Sequence, residues 1–305
     1  MILISGANGT AGRSVIAHLV RRGAPVRALV SNADSARSIE TLGVEPIIGD
    51  MRETEVLQRA LTDIATVYHI APALMADELD VGRQFIALAR DQGIERFVLH
   101  GVSYPYAPHI GFHWTKMKLE AELLKSGLAY TIVRPTQFMQ NITWSLPQIL
   151  QTGEFALPYA PDKPMGFVHT DDLGKAVARI LTEPDHAGAT YELCSTPQPI
   201  DRHHMAAALS DAFGVKIRAV RCAFDDLLGS HFFASLSSVQ RQQMANMYDH
   251  IDQFGTAYFN NDVLAMLTGV PTTSYCEFAE ELASRYTRTD LDQLKTVRSS
   301  ARSPM

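Results

Sequence analysis

Short apolar runs alternate with helical patterns through the first third of the chain. The apolar runs predict five strands, at residues 2–4, 26–30, 45–48, 66–70 and 96–100. Between them, apolar residues recur with helical spacing, and single glycines end several of these segments. Strands that alternate with helices predict an α/β protein with a doubly wound parallel sheet, covered by helices on both faces.

A glycine-rich turn follows the first strand. Gly6, Gly9 and Gly12 stand three residues apart, and a helical pattern begins after them. A helix N-terminus offers unpaired N–H groups and a positive dipole end, which favour a phosphate. We interpret Gly6 as the sharp turn, Gly9 as the place where the backbone approaches a pyrophosphate, and Gly12 as a helix–strand packing position. The stretch predicts dinucleotide binding on a Rossmann fold, and a turn used only for packing is the alternative.

The residues just after each strand are the candidate cofactor contacts, because ligands of a parallel sheet lie at the carboxyl ends of its strands. No acidic residue directly follows the second strand, where one would accept the ribose hydroxyls of NAD. Arg13 and Arg37 favour NADP over NAD, with solvated surface arginines as the alternative. For His69 a structural role is the alternative. The predicted cofactor contacts are Gly6, Asn8, Gly9, Thr10, Gly12, Arg13, Ser31, Asn32, Arg37, Asp50, His69, Ala71, Pro72, Lys116, Pro135, Gln137 and Phe138.

A helical segment at residues 112–127 carries the candidate catalytic residues. Lys116 and Glu120 are four residues apart and can pair on one helix face, with a modest surface salt bridge as the alternative interpretation. Lys116 can hold the nicotinamide ribose or polarise the acceptor. His113 is the candidate proton donor near neutral pH, and a structural loop histidine is its alternative.

Further motifs follow the glycine turn along the chain. They are Gly49-Asp50, Lys116 with Glu120, residues 126–135 with Phe138 and Asn141, residues 167–174, and residues 187–193. Together with the glycine turn they resemble the NmrA-like branch of the atypical short-chain dehydrogenase/reductase superfamily, over roughly residues 1 to 285. The resemblance implies activities of two kinds. Some members reduce quinones, enones, imines or aryl ethers with NADPH, and others bind the dinucleotide as a signal without turnover.

The tyrosine of the usual Tyr-x-x-x-Lys pair is missing. Phe112 stands four residues before Lys116, and phenylalanine cannot give or take a proton. The first hypothesis is an NAD(P)H-dependent oxidoreductase that transfers hydride to a small apolar or conjugated carbonyl, quinone or imine; a quinone can take its proton from water. The alternatives are an NAD(P)-sensing regulatory protein without turnover, and a non-redox isomerase, cyclase or lyase on the same fold.

The rest of the chain predicts a smaller, mainly helical C-terminal lobe. We assign residues 1–150 and 165–194 to the NAD(P)-binding domain, residues 151–164 and 195–286 to the substrate-binding lobe, and residues 287–305 to a flexible tail. Soft and aromatic side chains of the lobe can form an apolar pocket, although packing within the lobe explains most of them. The predicted substrate contacts are Tyr104, Tyr106, Phe138, Asn141, Met247, Tyr248 and His250.

Composition narrows the class of protein. The 305 residues are 46% hydrophobic and 20% charged, which is typical of a soluble globular protein, and a net charge of −6 gives no general attraction to nucleic acid. Three well-separated cysteines and the adjacent pair His203-His204 have no metal-like spacing, so we predict no metal. The sparse cysteines, an apolar start without room for a signal peptide and the lack of a membrane-length apolar run predict a cytoplasmic protein. We expect a monomer or homodimer whose partner is a small-molecule substrate, not nucleic acid or a membrane.

Overall fold

The chain folds into two units. The computed structural model describes residues 1–228, 231–256 and 259–286, so the predicted tail at 287–305 lies outside the described residues. Unit 1 comprises Met1–Thr136, Thr170–Leu193 and Asp262–Pro271. Unit 2 comprises Gln137–His169, Cys194–Asn261 and the described part of Thr272–Met305.

The strands and helices follow the chain in this order. The strands are β1 (Ile2–Ile4), β2 (Val26–Val30), β3 (Glu45–Ile48), β4 (Thr66–His69), β5 (Arg96–His100), β6 (Tyr130–Pro135), β7 (Gln137–Phe138), β8 (Glu154–Leu157), β9 (Phe167–Val168), β10 (Thr190–Leu193) and β11 (Arg218–Arg221). The helices are α1 (Thr10–Arg21), α2 (Ala33–Glu40), α3 (Thr54–Leu61), α4 (Glu78–Asp91), α5 (Gly111–Lys125), α6 (Leu146–Thr152), α7 (Thr170–Thr182), α8 (Arg202–Phe213), α9 (His231–Ala234), α10 (Ser238–Phe254), α11 (Asp262–Thr268) and α12 (Tyr275–Ser284).

A seven-stranded sheet organises the described part of unit 1. Its strands lie in the order β10-β6-β5-β4-β1-β2-β3, and every pairing in it is parallel. All residues of β1 and β2 are buried because both faces of the sheet are covered. On one face, Phe85 of α4 and Leu119 of α5 pack with Leu3 and Phe97 in the main core. The predicted doubly wound α/β fold is confirmed.

Helices α1 and α7 pack against each other in unit 1. Gly174 of α7 lies so close to Ser14 of α1 that a Cβ there would collide with the Ser14 hydroxyl. The same hydroxyl donates a hydrogen bond of 2.7 Å to the Thr170 carbonyl. These contacts hold α1, the helix that follows the glycine turn, in a fixed position.

Unit 2 contains two short parallel strand pairs and most of the remaining helices. Strand β7 pairs with β9, and β8 pairs with β11, while α8 packs against α12. Pairing of β7 with β9 explains why residues 137–150 and 165–169 are grouped with unit 2, and not with the NAD(P)-binding domain as predicted. Residues 262–271 are instead grouped with unit 1, since α11 packs on α7.

Two local expectations differ from the structure. Helix α1 begins at Thr10, four residues before the apolar spacing becomes visible at Ser14, because the last glycines of the turn are already helical or cap the helix. The apolar spacing of α5 predicts Leu124 on its buried side, but this side chain is 52% exposed. None of the described helices combines the length and apolarity needed to cross a membrane.

Candidate active site

The glycine turn is closed by contacts between backbone atoms. Gly6 has a left-handed φ of 61°, as the predicted sharp turn requires, and a Cβ there would lie 2.7 Å from the Ile70 carbonyl oxygen. A Cβ at Gly12 would lie 2.5 Å from the Gly6 carbonyl oxygen and 2.8 Å from the Ala7 Cα. Gly12 therefore packs α1 against the turn itself, and not against a strand as we predicted.

Gly9 differs from the other two glycines. It has an ordinary extended conformation, with φ of −73° and ψ of 167°, and is exposed. A Cβ there would meet only the Gly6 carbonyl oxygen, at 3.2 Å. The backbone conformation of Gly9 therefore suits any residue, and a side chain there would press on the Gly6 carbonyl oxygen.

The start of α1 fits a dinucleotide pyrophosphate. Gly9 is the N-cap, and no side chain among the described residues caps the helix. As at every helix start, the first N–H groups of α1 have no partner within the helix, and the turn before them contains Gly6 and Gly9. Asn8 and Thr10 flank this opening and are both exposed.

A polar network links the glycine turn to the start of α2. The Arg13 guanidinium donates hydrogen bonds to Asn8 Oδ1 (2.9 Å) and Ser38 Oγ (2.7 Å). Asn8 Nδ2 in turn donates to Ser35 Oγ at 3.0 Å. Arg13 is thus fixed beside the carboxyl end of β2, where the adenosine ribose of a dinucleotide is recognised in this class of sheet.

The other predicted adenosine contacts lie in the same loop. Asn32 caps α2 by accepting the Ser35 N–H at 2.8 Å, and its amide donates to Ser31 Oγ at 3.2 Å. Arg37 pairs with Asp34, and both side chains are exposed. Arg37 therefore already has a carboxylate partner, whereas Arg13 is held by neutral groups.

The loop after β3 is tied to the start of α4. The Arg52 guanidinium donates to Asp50 Oδ2 at 3.2 Å and to Asp77 Oδ2 at 2.7 Å. These bonds raise the pKa of Arg52, and the Asp77 pKa is lowered mainly by its hydrogen bond to Arg52. Asp50, predicted to contact the cofactor, is thereby part of an exposed three-residue ion pair network.

Two buried histidines lie at the carboxyl ends of β4 and β5. His69 Nδ1 is 2.8 Å from Ser5 Oγ, and its ring contacts Phe85 edge-on at 5.0 Å. His100 Nδ1 is hydrogen-bonded to the Tyr68 hydroxyl at 2.6 Å. Burial, with the positive charge of Lys116 as a smaller cause, lowers the pKa of each histidine to about 3. Both rings are therefore neutral at physiological pH. His69 is buried, and its contact with a cofactor stays a prediction.

The other predicted cofactor contacts near these strand ends differ in exposure. Ala71 is half-buried and Pro72 is exposed just after β4. Pro135 is buried at the end of β6 and is paired with Leu193 of β10. Their contact with a cofactor stays a prediction.

The partner of Lys116 is Glu78, not Glu120. Lys116 Nζ donates a hydrogen bond of 2.6 Å to Glu78 Oε1, across from α5 to α4. The two oxygens of Glu120 instead accept bonds from Arg134 Nε (3.1 Å) and Nη2 (2.6 Å). A buried guanidinium on the neighbouring strand binds both oxygens of that carboxylate, so the predicted pairing within α5 is wrong.

His113 has a defined proton position. Its Nδ1 lies 2.9 Å from the Tyr104 carbonyl oxygen, which can only accept a hydrogen bond. The proton is therefore on Nδ1, and Nε2 is the nitrogen suited to exchange a proton with a ligand. Tyr104 holds its carbonyl in place with an unusual positive φ of 57°, and Phe112 packs on the imidazole at 4.6 Å.

Tyr106 is held by Arg134. Its hydroxyl accepts a hydrogen bond from Arg134 Nη1, and the guanidinium carbon lies 5.0 Å from the centre of its ring. The side chain is otherwise exposed, at 58%. Contact of Tyr104 or Tyr106 with a substrate stays a prediction.

The predicted substrate residues of unit 2 differ in their surroundings. Tyr248 is buried and stacks on Tyr159 at 5.9 Å, so packing within the lobe accounts for it. It also borders a cleft of about 290 Å³, but Met247 and His250 do not line that cleft. The remaining predicted contacts in unit 2, all half-buried, are Gln137, Phe138 and Asn141.

Sequence reasoning missed Glu78, Tyr68, His100 and Ser5. Glu78 lies 38 residues before Lys116, so no helical spacing connects the two. An acidic residue at a helix start is already explained by the helix dipole. Only the parallel arrangement of α4 and α5 could have suggested the pair.

Comparison with known proteins identifies the family. The NmrA-like family model matches residues 1–284. This chain belongs to the NmrA-like family. The resemblance predicted from the motifs is therefore confirmed.

Two curated relatives of this NmrA-like protein are similar over nearly their whole length. An NAD(P)H azoreductase of Xenophilus azovorans is 28% identical over 288 residues, which cover 94% of this chain and 99% of the relative. Quinone oxidoreductase 2 of Escherichia coli is 25% identical over 288 residues, with 92% and 98% coverage. The crystal structure of an NADPH-dependent quinone oxidoreductase from E. coli, in complex with NADPH, has a TM-score of 0.80 at 24% identity, covering 92% and 99% of the chains. That structural likeness shows a shared fold.

We predict that Gly9→Val abolishes dinucleotide binding without unfolding the protein. A valine can adopt the extended backbone of Gly9, with its Cβ 3.2 Å from the Gly6 carbonyl oxygen, and it would stand where we expect a pyrophosphate to approach. The Kd for NADPH should rise about 100-fold or more, equivalent to about 2.7 kcal/mol. Nicotinamide fluorescence measures the binding, and the melting temperature controls for folding.

Gly12→Val is the contrasting variant. Its side chain collides with the backbone of the turn, so it should lower both binding and stability. Normal NADPH binding by Gly9→Val would contradict the assignment of the cofactor site.

We also predict that stability falls in acid because of the buried histidines. The pKa of His69 is about 3 in the folded protein and 6.5 by reference, so between these values the unfolded state binds more protons. The stability that depends on a neutral ring is complete above pH 6.5 and is lost toward pH 3, at about 1.4 kcal/mol per pH unit for each histidine.

His69→Asn should remove one histidine's share of this slope, since asparagine can still bond Ser5 but does not titrate. Urea unfolding between pH 7 and pH 4.5 measures the slope. His203→Asn, at an exposed histidine, controls for the substitution itself. An unchanged slope in His69→Asn would show that His69 is protonated in the folded protein.

Proposed function

We propose that this NmrA-like protein is an NADPH-dependent oxidoreductase that reduces a small apolar or conjugated acceptor, with a quinone as the best candidate. The observation that carries the proposal is the start of α1, where N–H groups without a side-chain cap follow a tight turn in which Gly6 and Gly12 leave no room for a Cβ. The names of the two curated relatives, an NAD(P)H azoreductase and a quinone oxidoreductase, support the same reaction class.

In this proposal the residues of unit 1 hold the cofactor. The N–H groups at the start of α1, with Asn8 and Thr10 beside them, bind the pyrophosphate. Arg13 recognises the 2′-phosphate, because its guanidinium is fixed at the carboxyl end of β2 by neutral hydrogen-bond acceptors. A bound reduced nicotinamide supplies a hydride to the acceptor.

Lys116 stabilises the charge that the acceptor gains. Its ammonium is fixed by Glu78 and lies beside two neutral imidazoles, so it is the cation suited to an oxygen or nitrogen that becomes negative. With its ring protonated at both nitrogens, His113 supplies the proton from Nε2 and keeps its Nδ1–H bond to the Tyr104 carbonyl. Water can replace His113 when the reduced acceptor is a weak base, as a hydroquinone anion is.

The cellular setting is part of the same proposal. The three cysteines form no disulfide among the described residues, in agreement with a reducing compartment such as the cytoplasm. No group of three metal-ligating side chains was found in the described parts of the chain. We further propose that the protein is a monomer or a homodimer and that its partner is a small-molecule substrate.

A sensor of the dinucleotide is the second candidate, and Phe112 is the observation that favours it. An aromatic hydrocarbon ring occupies the position of the usual proton donor and packs on His113. Such a protein would bind cofactor without oxidising it in the presence of any acceptor.

We expect the purified protein to bind NADPH and to oxidise it in the presence of quinones. A titration with NADPH and NADH, followed by nicotinamide fluorescence, measures binding. A panel of quinones, azo dyes, enones and imines, followed by the absorbance of the reduced cofactor, measures turnover. Tight binding without oxidation by any acceptor would support the sensor instead, and no binding of either cofactor would refute both.

We predict that Arg13→Ala weakens NADPH more than NADH. Loss of a charge-assisted hydrogen bond of about 1.5–3 kcal/mol should raise the Kd for NADPH about 10- to 100-fold. NADH lacks the 2′-phosphate, so its Kd should change far less. Arg59→Ala, at an exposed arginine of α3, is the matched control. Equal losses for both cofactors would mean that Arg13 supports the turn and does not read the phosphate.

A further inference from the structure

We infer that Glu78 is a positioning residue that holds the Lys116 ammonium where the reaction needs it. The inference rests on the proposed function. Glu78 Oε1 accepts a hydrogen bond of 2.6 Å from Lys116 Nζ, and the two side chains are only 3% and 14% exposed. Among the described residues, this is the ion pair that Lys116 forms. It connects α4 with α5, two helices that are distant from each other in the sequence.

The packing of α4 against α5 brings the pair together. One turn after Glu78, Gly82 faces Leu119, and a Cβ at Gly82 would lie 2.5 Å from the Leu119 side chain. The absence of a side chain at Gly82 therefore lets the two helices approach closely. The next contact along the same helices is the ion pair Arg83–Glu122 at 2.9 Å, which is partly exposed.

The start of α4 is itself anchored. Asp77, the residue before Glu78, is held by Arg52 at 2.7 Å, and Arg52 also binds Asp50. Glu78 is the first residue of α4, where the helix dipole favours a carboxylate. The position of the Glu78 carboxylate is therefore set by the anchored start of α4, independently of Lys116.

Neither the two buried histidines nor Glu120 can replace Glu78. His69 and His100 are neutral, because their pKa values are lowered to about 3, and neutral imidazoles do not compensate a buried cation. Glu120, on the same helix as Lys116, has both oxygens bound by Arg134. A lysine side chain has a flexible four-carbon stem, so loss of Glu78 would release the ammonium from its position.

A set of variants tests the inference. Glu78→Gln should lower kcat about 100-fold, the loss expected when a reacting group is misplaced by about 1 Å. Glu78→Asp keeps the charge and should recover part of the loss. Lys116→Met should be at least as slow as Glu78→Gln, and adding Glu78→Gln to Lys116→Met should cause no further loss, because Glu78 acts only through the lysine.

Controls separate positioning from folding. Glu122→Gln removes the other carboxylate that bridges α4 and α5, and it should leave kcat unchanged. Melting temperatures are measured for every variant. Glu78→Gln leaves an unpaired ammonium and Lys116→Met an unpaired buried carboxylate, so kcat is compared between variants that keep the wild-type melting temperature. The double variant has no charge left in the pair and shows the kcat of the site without either group.

The outcomes distinguish the two proposals. An active wild type whose kcat survives Glu78→Gln would overturn the inference alone, as would a double variant slower than Lys116→Met by the full factor of Glu78→Gln. A wild type that oxidises no NADPH with any acceptor would remove the proposed function, and the inference with it. Non-additive loss of kcat with partial recovery in Glu78→Asp would support the inference.

Discussion

The close packing of backbone against backbone in the glycine turn fixes the start of α1. Gly6 lies against the Ile70 carbonyl at the end of β4, and Gly12 lies against Gly6 itself, at distances that a Cβ could not tolerate. Ser5, directly after β1, is bound to the end of β4 as well, because its hydroxyl accepts a hydrogen bond of 3.0 Å from the Ile70 N–H. The end of β1, the end of β4 and the start of α1 are therefore fixed against one another, and they form the frame for the candidate site residues of unit 1.

Buried charge is the second constraint on this site. The pairs Lys116–Glu78 and Arg134–Glu120 are both largely shielded from water. Desolvation opposes such pairs, so apolar residues of similar volume would often be equally stable there. Stability alone does not explain a lysine in this place. The same holds for the buried polar groups His69, His100 and Tyr68. Each is hydrogen-bonded, because a buried polar side chain without a partner would destabilise the fold.

Local patterns were sufficient for the fold and insufficient for the pairings of the site. Strands β1, β2, β3 and β5 have the predicted bounds, because buried parallel strands are short apolar runs that end at glycine or polar residues. The Gly6 turn was also predictable from local sequence, because a glycine directly after a strand indicates a sharp turn. The partner of Lys116 could not be predicted, because helical spacing identifies only neighbours on the same helix and Glu78 lies on another helix. Glu120 was unavailable because Arg134 lies on an adjacent strand, and no spacing within α5 records that.

Phe112 changes what the site has to do. With a hydrocarbon ring in place of a tyrosine, a carbonyl whose reduction needs a strong proton donor is a poor acceptor. An acceptor that spreads the incoming charge over a conjugated system needs a cation more than an acid. On the proposed function, Lys116 is that cation, and Glu78 fixes its position while cancelling part of its field. A site with this balance favours uncharged, conjugated acceptors, because an acceptor that is already an anion would carry one more negative charge after hydride transfer than a single, partly compensated lysine can offset.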